Sequence, residues 1–227
     1  RVQGAPAYLL LLFLLDQQKD LGLTDEHLTR IVQSLVGFFV RRNLTETPAF
    51  HDLNYLFMRI VEGIGDRRNS RLVKFIQKEL IRVSADEATF RERLNGPVYD
   101  ENKDLTRFLL CTIAERAMTR ETTVDLWAKT DKKYIWTIEH VFPQGENIPK
   151  PWVEMIADGD AETARELQRT HVHRLGNLTI SGYNSQLGNK DFFSKQARTD
   201  HKGKPIGYNN RLCLNDDLAK AKTWTVK

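Results

Sequence analysis

Apolar residues recur through the first half of the chain at the three- and four-residue spacing of amphipathic helices. Leu53, Leu56, Phe57, Ile60, Val61 and Ile64 share one face, closed by Gly65. Leu105, Phe108, Leu109, Thr112 and Ile113 form a second stripe. Thr24 reads as an N-cap, with Asp25 and Glu26 in the first turn and Arg41 and Arg42 at the far end, where each charge suits the helix dipole. Ser84–Glu87 reads as a capping box for a helix to about Leu94, and Asn95–Pro97 then breaks the chain. After Thr130 the texture changes. Tyr134–His140 is rich in β-branched and aromatic residues and predicts a strand, and Asn177–Ser181 predicts another. Between them lie a loop marked by Pro143, Gly145 and Pro149, a short helix from Trp152, and a helix capped by Asp160 that runs toward His171. Gly182 turns the chain, and Asn184 to about Ala197 reads as one helix. The expected fold class is α+β. A helical subdomain spans residues 1–128, and residues 129–227 carry strand, long insertion, strand, turn and helix.

Composition narrows the setting. A chain of 227 residues buries a sizeable core without staples. Its two cysteines, Cys111 and Cys213, form no CxxC pair, which argues against structural zinc and for a reducing, cytoplasmic location. Cys111 lies within an apolar stripe and reads as a small buried hydrophobe. The longest apolar run, Tyr8–Leu15, is too short to span a bilayer and has no basic stretch before it, so no membrane association is expected. The chain begins at Arg1 rather than Met, and the expectation is a fragment of a longer protein. Charge is unevenly placed: residues 1–128 hold 18 basic and 18 acidic side chains, so the net +4 falls entirely in residues 129–227. That excess suits a polyanionic partner or a solvated surface. Arg67, Arg71, Lys74 and Lys78 share a helix face, which suits a phosphate backbone, a solvated face or a docking surface.

Three short elements of the second half carry candidate chemistry: Glu139–His140, Gly176–Asn177, and the segment from Tyr183 to Lys190. Phosphodiester hydrolysis needs a base to activate water and a cation to offset charge on the transition state. Histidine supplies a base near neutral pH. A carboxylate and a side-chain amide supply the hard oxygen donors that Mg²⁺ prefers. An asparagine hydrogen-bonded to an imidazole fixes its tautomer. The pair His171 and His173 lies two residues apart without an evident third metal ligand, and His173 is expected to support the turn at Arg174–Asn177. His27, His51 and His201 belong to no constellation and are expected at the surface.

The segments IEHVFPQ, HRLGNLTI and NSQLGNKDFFSKQ resemble the HNH nuclease motif of the His-Me finger superfamily. They are similar in particular to the C-terminal domain of GmrSD-type modification-dependent restriction enzymes and their phage-defence relatives. The preceding helical region and the tail NNRLCLNDDLAKAKTWTVK resemble the same family. The resemblance implies a ββα-metal finger in residues 129–227 and a metal-dependent DNA endonuclease that restricts foreign or modified phage DNA. It implies His140 as general base, Asn177 as the residue that orients it, and Glu139 and Asn184 as ligands of one divalent cation, Mg²⁺ or Mn²⁺. Only seven positions separate Asn177 from Asn184, fewer than the family pattern, so Asn189 stands as a second candidate ligand. Arg174, Lys190 and Lys195 are candidate DNA contacts, the two lysines suiting a solvated face equally. The resemblance also implies an N-terminal nucleotide-binding domain that is absent here. The rival reading is a catalytically inactive DNA-binding or regulatory module.

Overall fold

A computed structural model describes residues 3–226. The chain divides into two compact units, one ending at Leu94 and the other starting at Asn95. The division falls at the Asn95–Pro97 break and differs from the boundary expected near residue 128. The reason is packing. The helix Lys103–Ala117 buries Leu110, Cys111 and Ala114 against Leu178 and Ile180, both in a strand of the second unit.

The first unit is helical: α1 (Tyr8–Asp16), α2 (Asp25–Thr45), α3 (Leu53–Glu62), α4 (Asn69–Val83) and α5 (Glu87–Leu94). Thr24 caps α2 by accepting from the His27 backbone N–H, and the His27 ring returns a bond to the Thr24 N–H. The stripe on α3 is buried as its spacing predicts, through Leu53, Leu56, Phe57 and Ile60. Its rings and aliphatic groups meet Phe38 and Phe39 of α2 and Leu72, Val73 and Ile76 of α4 in one core. Arg41 ties α2 to α5, donating to the carbonyls of Ala85 and Asp86 and to the Glu87 carboxylate, 2.7 Å away. Of the basic residues expected on one helix face, Arg67 precedes α4 and folds back onto the Gly63 carbonyl and over the Phe75 ring, whereas Arg71, Lys74 and Lys78 of α4 are exposed.

The second unit contains α6 (Val98–Glu101), α7 (Lys103–Ala117), a two-residue hairpin β1 (Lys129–Thr130) and β2 (Lys133–Tyr134), and then β3 (Thr137–His140). An insertion holding α8 (Lys150–Ala157) and α9 (Ala161–His171) separates β3 from its antiparallel partner β4 (Leu178–Ser181). Asp160 caps α9 by accepting from Glu162 N–H. After β4 the single helix expected over Asn184–Ala197 is two: α10 (Asn184–Leu187) and α11 (Phe192–Ala197). Gly188 adopts φ +43°, a left-handed conformation that ends α10, and Asp191 recaps α11 through the Ser194 N–H. α12 (Asp216–Lys220) follows. Arg107 of α7 orders the lead-in to β3: its guanidinium donates to the Leu126 and Trp136 carbonyls and lies 3.6 Å from the Tyr134 ring centroid. The insertion is anchored by fully buried Trp152, which packs on Phe142 and Phe192 and donates to the Lys190 carbonyl. Among the described residues no helix is long and apolar enough to cross a membrane.

The segment beyond α11 closes tightly on it. A Cβ added at Gly207 would collide with the Lys195 carbonyl oxygen and lie 2.9 Å from that of Gln196, whereas one at Gly176 meets nothing within 4 Å. Gly207→Ala is therefore expected to lose about 1–3 kcal/mol in urea denaturation, the usual cost of overpacking, with Gly176→Ala nearly silent. Equal midpoints for the two variants would contradict this packing.

Candidate active site

β3 and β4 pair in the register Thr137↔Ser181, Ile138↔Ile180, Glu139↔Thr179 and His140↔Leu178. Strand alternation puts Ile138 and His140 on one face and Thr137 and Glu139 on the other. The first face takes the apolar residues of α7, with Ile138 packed on the cluster that contains Leu110 and Ile180. The second face is polar. Thr179 donates there to the Asn215 side-chain oxygen, and α10 and α11 supply its remaining partners.

On its own face His140 is 5% exposed and sits among rings. Its Nε2 lies 3.2 Å from Nδ1 of His173. Tyr99 of α6 meets His140 edge-on, at 4.6 Å and 84°, and stacks on His173 at 5.3 Å and 15°. The Tyr99 backbone N–H donates to the His173 carbonyl, and Lys103 Nζ lies 5.0 Å from the Tyr99 ring centroid. Burial, helped by electrostatic repulsion from the neighbouring His173, Lys195 and Lys103, pushes the His140 pKa down from 6.5 to about 3. The imidazole is therefore neutral at physiological pH, with a lone pair available to accept a proton.

Behind β3, Lys195 of α11 is fully buried, and its ammonium donates to Glu139 Oε1 (2.7 Å), the His140 carbonyl (2.6 Å) and the Val141 carbonyl (3.1 Å). Three N–H bonds meet three oxygens, the full complement of a lysine. This corrects the expectation that Lys195 contacts DNA: an ammonium without solvent access cannot reach a phosphate, and it serves instead to hold the end of β3. Burial raises Glu139 to about 7 against the opposing pull of the Lys195 charge, and burial likewise lowers Lys195. Among the described residues the buried Tyr208 hydroxyl has no hydrogen-bond partner, and its pKa is pushed up by burial and by the Glu139 charge.

Asn177 is buried but does not touch the His140 ring. Its Oδ1 accepts from Phe142 N–H (2.8 Å) and Trp224 Nε1 (3.2 Å), and its Nδ2 donates to the carbonyls of Phe142 and Val172. The expected hydrogen bond from Asn177 to the imidazole is therefore corrected. Its amide is spent on the chain that leaves β3, and it reaches His140 only through the backbone, where its carbonyl accepts from Val141 N–H at 2.9 Å. Asn184 lies on the Glu139 side, Nδ2 donating to the Ile138 carbonyl (2.6 Å) and to Thr137 Oγ1 (3.3 Å). Asn189 is exposed and pins the insertion by donating to the Asn147 carbonyl. Of the expected DNA contacts, Lys190 is exposed, and Arg174 is half-buried with no partner for its Nε among the described residues. Sequence reasoning missed His173 and Tyr99 as neighbours of His140. His173 is expected from the sequence only to support the turn at Arg174–Asn177, and Tyr99 follows the chain break, 41 positions before His140.

Among the described residues no three His, Cys, Asp or Glu side chains converge on one cation position. Glu139 and Asn184 nevertheless supply the donor chemistry of a hard cation that keeps water and phosphate as its other ligands. Lys195 engages one carboxylate oxygen, and the Asn184 hydrogen bonds engage its nitrogen rather than its oxygen. The pair fits a divalent cation to that extent.

The family model described as GmrSD restriction endonucleases, C-terminal domain, matches residues 84–227, a span that takes in every residue of this site. No curated protein and no solved structure gives a match.

The depressed His140 pKa carries a stability consequence with a definite sign. Between pH 6.5 and about 3 the unfolded chain takes up a proton at this imidazole that the folded chain refuses, so stability falls as pH falls through that window. His140→Gln removes the group, and its urea midpoint is expected to decline less than wild type between pH 6.5 and 4. Parallel declines would contradict a buried neutral imidazole.

Proposed function

The chain belongs to the family of C-terminal domains of GmrSD restriction endonucleases, and from that premise we propose that it hydrolyses DNA phosphodiester bonds as an HNH-type nuclease, with His140 as general base. The observation that carries the proposal is the placement of His140. Its imidazole stands beside Glu139 at the end of a short strand, with the ring held by His173 and the backbone carbonyl by Lys195, within a chain of a restriction-nuclease family. In the proposed mechanism a water gives its proton to the imidazole and attacks the phosphorus. The water oxygen bonds to phosphorus as the bond to the departing sugar oxygen breaks. Glu139 and Asn184 are the residues that would hold a divalent cation, Mg²⁺ or Mn²⁺, whose chemistry when bound is to neutralise charge on the phosphate oxygens. Lys195 keeps the carboxylate and the β3 end in place, and Asn177 fixes the chain beyond it. Lys190 and the exposed edge of Arg174 supply phosphate contacts. The target class we propose is foreign or modified DNA. The family's description as a C-terminal domain implies an N-terminal partner domain.

A non-cleaving DNA-binding or regulatory module draws on a different observation, the Glu139–Lys195 pair, which already neutralises the carboxylate.

Conversion of supercoiled plasmid separates the two readings. The chain is expected to nick or linearise plasmid with Mg²⁺ or Mn²⁺, to stop with EDTA, and to lose about 10²–10⁴-fold in rate in His140→Ala with DNA affinity retained. Lys190→Ala is expected to lower the salt dependence of DNA binding by about one phosphate contact. Binding without cleavage under any metal would favour the module, and equal cleavage by wild type and His140→Ala would remove His140 from the chemistry.

A further inference from the structure

The imidazole proposed as base has to present one particular nitrogen to water, and the bonds around it determine which. At the Nε2 end stands His173 Nδ1, 3.2 Å away. At the Nδ1 end, among the described residues, no protein group forms a hydrogen bond with His140. Asn177, whose amide is fully spent on Phe142, Val172 and Trp224, takes no part. We infer that His173 is the positioning residue of this site: it accepts from His140 Nε2–H, fixes that tautomer, and leaves Nδ1 as the nitrogen that takes the proton. The inference rests on the reading of His140 as the base.

Two features fit His173 to this task. Its ring is held independently of His140, because Tyr99 stacks on it while the Tyr99 N–H holds its backbone carbonyl, so its Nδ1 points at one place. The same Tyr99 ring meets His140 edge-on and limits rotation of that imidazole. The hydrogen bond also has a direction that suits the reaction. When water transfers its proton to the Nδ1 lone pair, His140 carries N–H bonds at both nitrogens, and the Nε2–H already has an acceptor. The proton on His173 must then sit on its Nε2, the only nitrogen left for it. A neutral acceptor in this place stabilises the imidazolium without adding a buried charge, the arrangement that a strand end already holding Glu139 and Lys195 tolerates best.

The test compares the 227-residue chain with two variants. His173→Asn keeps an acceptor, because the asparagine Oδ1 stands close to where Nδ1 stood. His173→Leu removes it and retains bulk against Tyr99. Single-turnover cleavage of a DNA duplex is expected to fall about 10–100-fold in kcat for the leucine variant with KM little changed, and to be largely restored in the asparagine variant. The second arm is ¹⁵N NMR of histidine-labelled protein, with the six histidines assigned by substitution. In wild type the His140 Nε2 should resonate as a protonated nitrogen and Nδ1 as an unprotonated one, and the leucine variant should show the two tautomers mixed. Full activity in His173→Leu, equal loss in both variants, or a wild-type His140 protonated at Nδ1 would overturn the inference. The NMR arm reads the tautomer without cleavage. A chain that cuts no DNA yet shows the expected tautomer sinks the nuclease reading alone, and one that cuts through His140 but shows the other tautomer sinks only this inference.

Discussion

An ammonium group with no access to water must give each of its N–H bonds an acceptor, and the site is organised around how Lys195 does so. Two of its three acceptors are consecutive backbone carbonyls, those of His140 and Val141, and the third is the carboxylate of Glu139. One buried cation therefore fixes the end of β3 at three successive residues. Removing one partner of such a pair strands the other, at a cost of several kcal/mol. The arrangement costs desolvation on both sides, visible in the raised Glu139 and lowered Lys195. In return it defines the strand end to which His140 is attached.

The rest of the second unit holds the two faces of that strand. α7 packs its apolar face on β4 and, through Arg107, orders the approach to β3. α11 carries Lys195, and the chain after it closes over the same helix at Gly207. The insertion between β3 and β4 is tied back at several points. Asn177 holds its first residues, Gln168 donates to the carbonyls of Pro143 and Gly145, and Asn189 donates to that of Asn147. A short two-stranded sheet would be marginal alone. Here it is held by side chains from helices on both faces.

Much of this was legible from local pattern. The α3 stripe, the caps at Thr24 and Asp160, the strands β3 and β4 and the break at Asn95–Pro97 follow from spacing and turn chemistry, which act over a few residues. What sequence reading missed depends on contacts between distant positions. α7 resembles its helical neighbours in composition, and only its burial against β4 assigns it to the second unit. Lys195 was read as a surface charge, although Phe192 stands three residues before it on the same turn of helix and is fully buried. That spacing was the available signal. The break at Gly188 did have a local signal, Gly188–Asn189 followed by Asp191 as a cap, which a single helix over 184–197 passes over. Asn177 was assigned to the imidazole by resemblance, but its amide meets the backbone of Phe142 instead. His173 has no local signal for its role, because both Tyr99 and His140 reach it across the fold.

The central claim is that the neutral imidazole of His140 takes the proton from water. Chemical rescue tests it most directly: His140→Gly leaves a space the size of the lost ring, and free imidazole is added while DNA cleavage is followed. The account predicts that the glycine variant is inactive and regains cleavage in proportion to imidazole, with no such response in wild type. A glycine variant that cleaves at the wild-type rate without imidazole would contradict it.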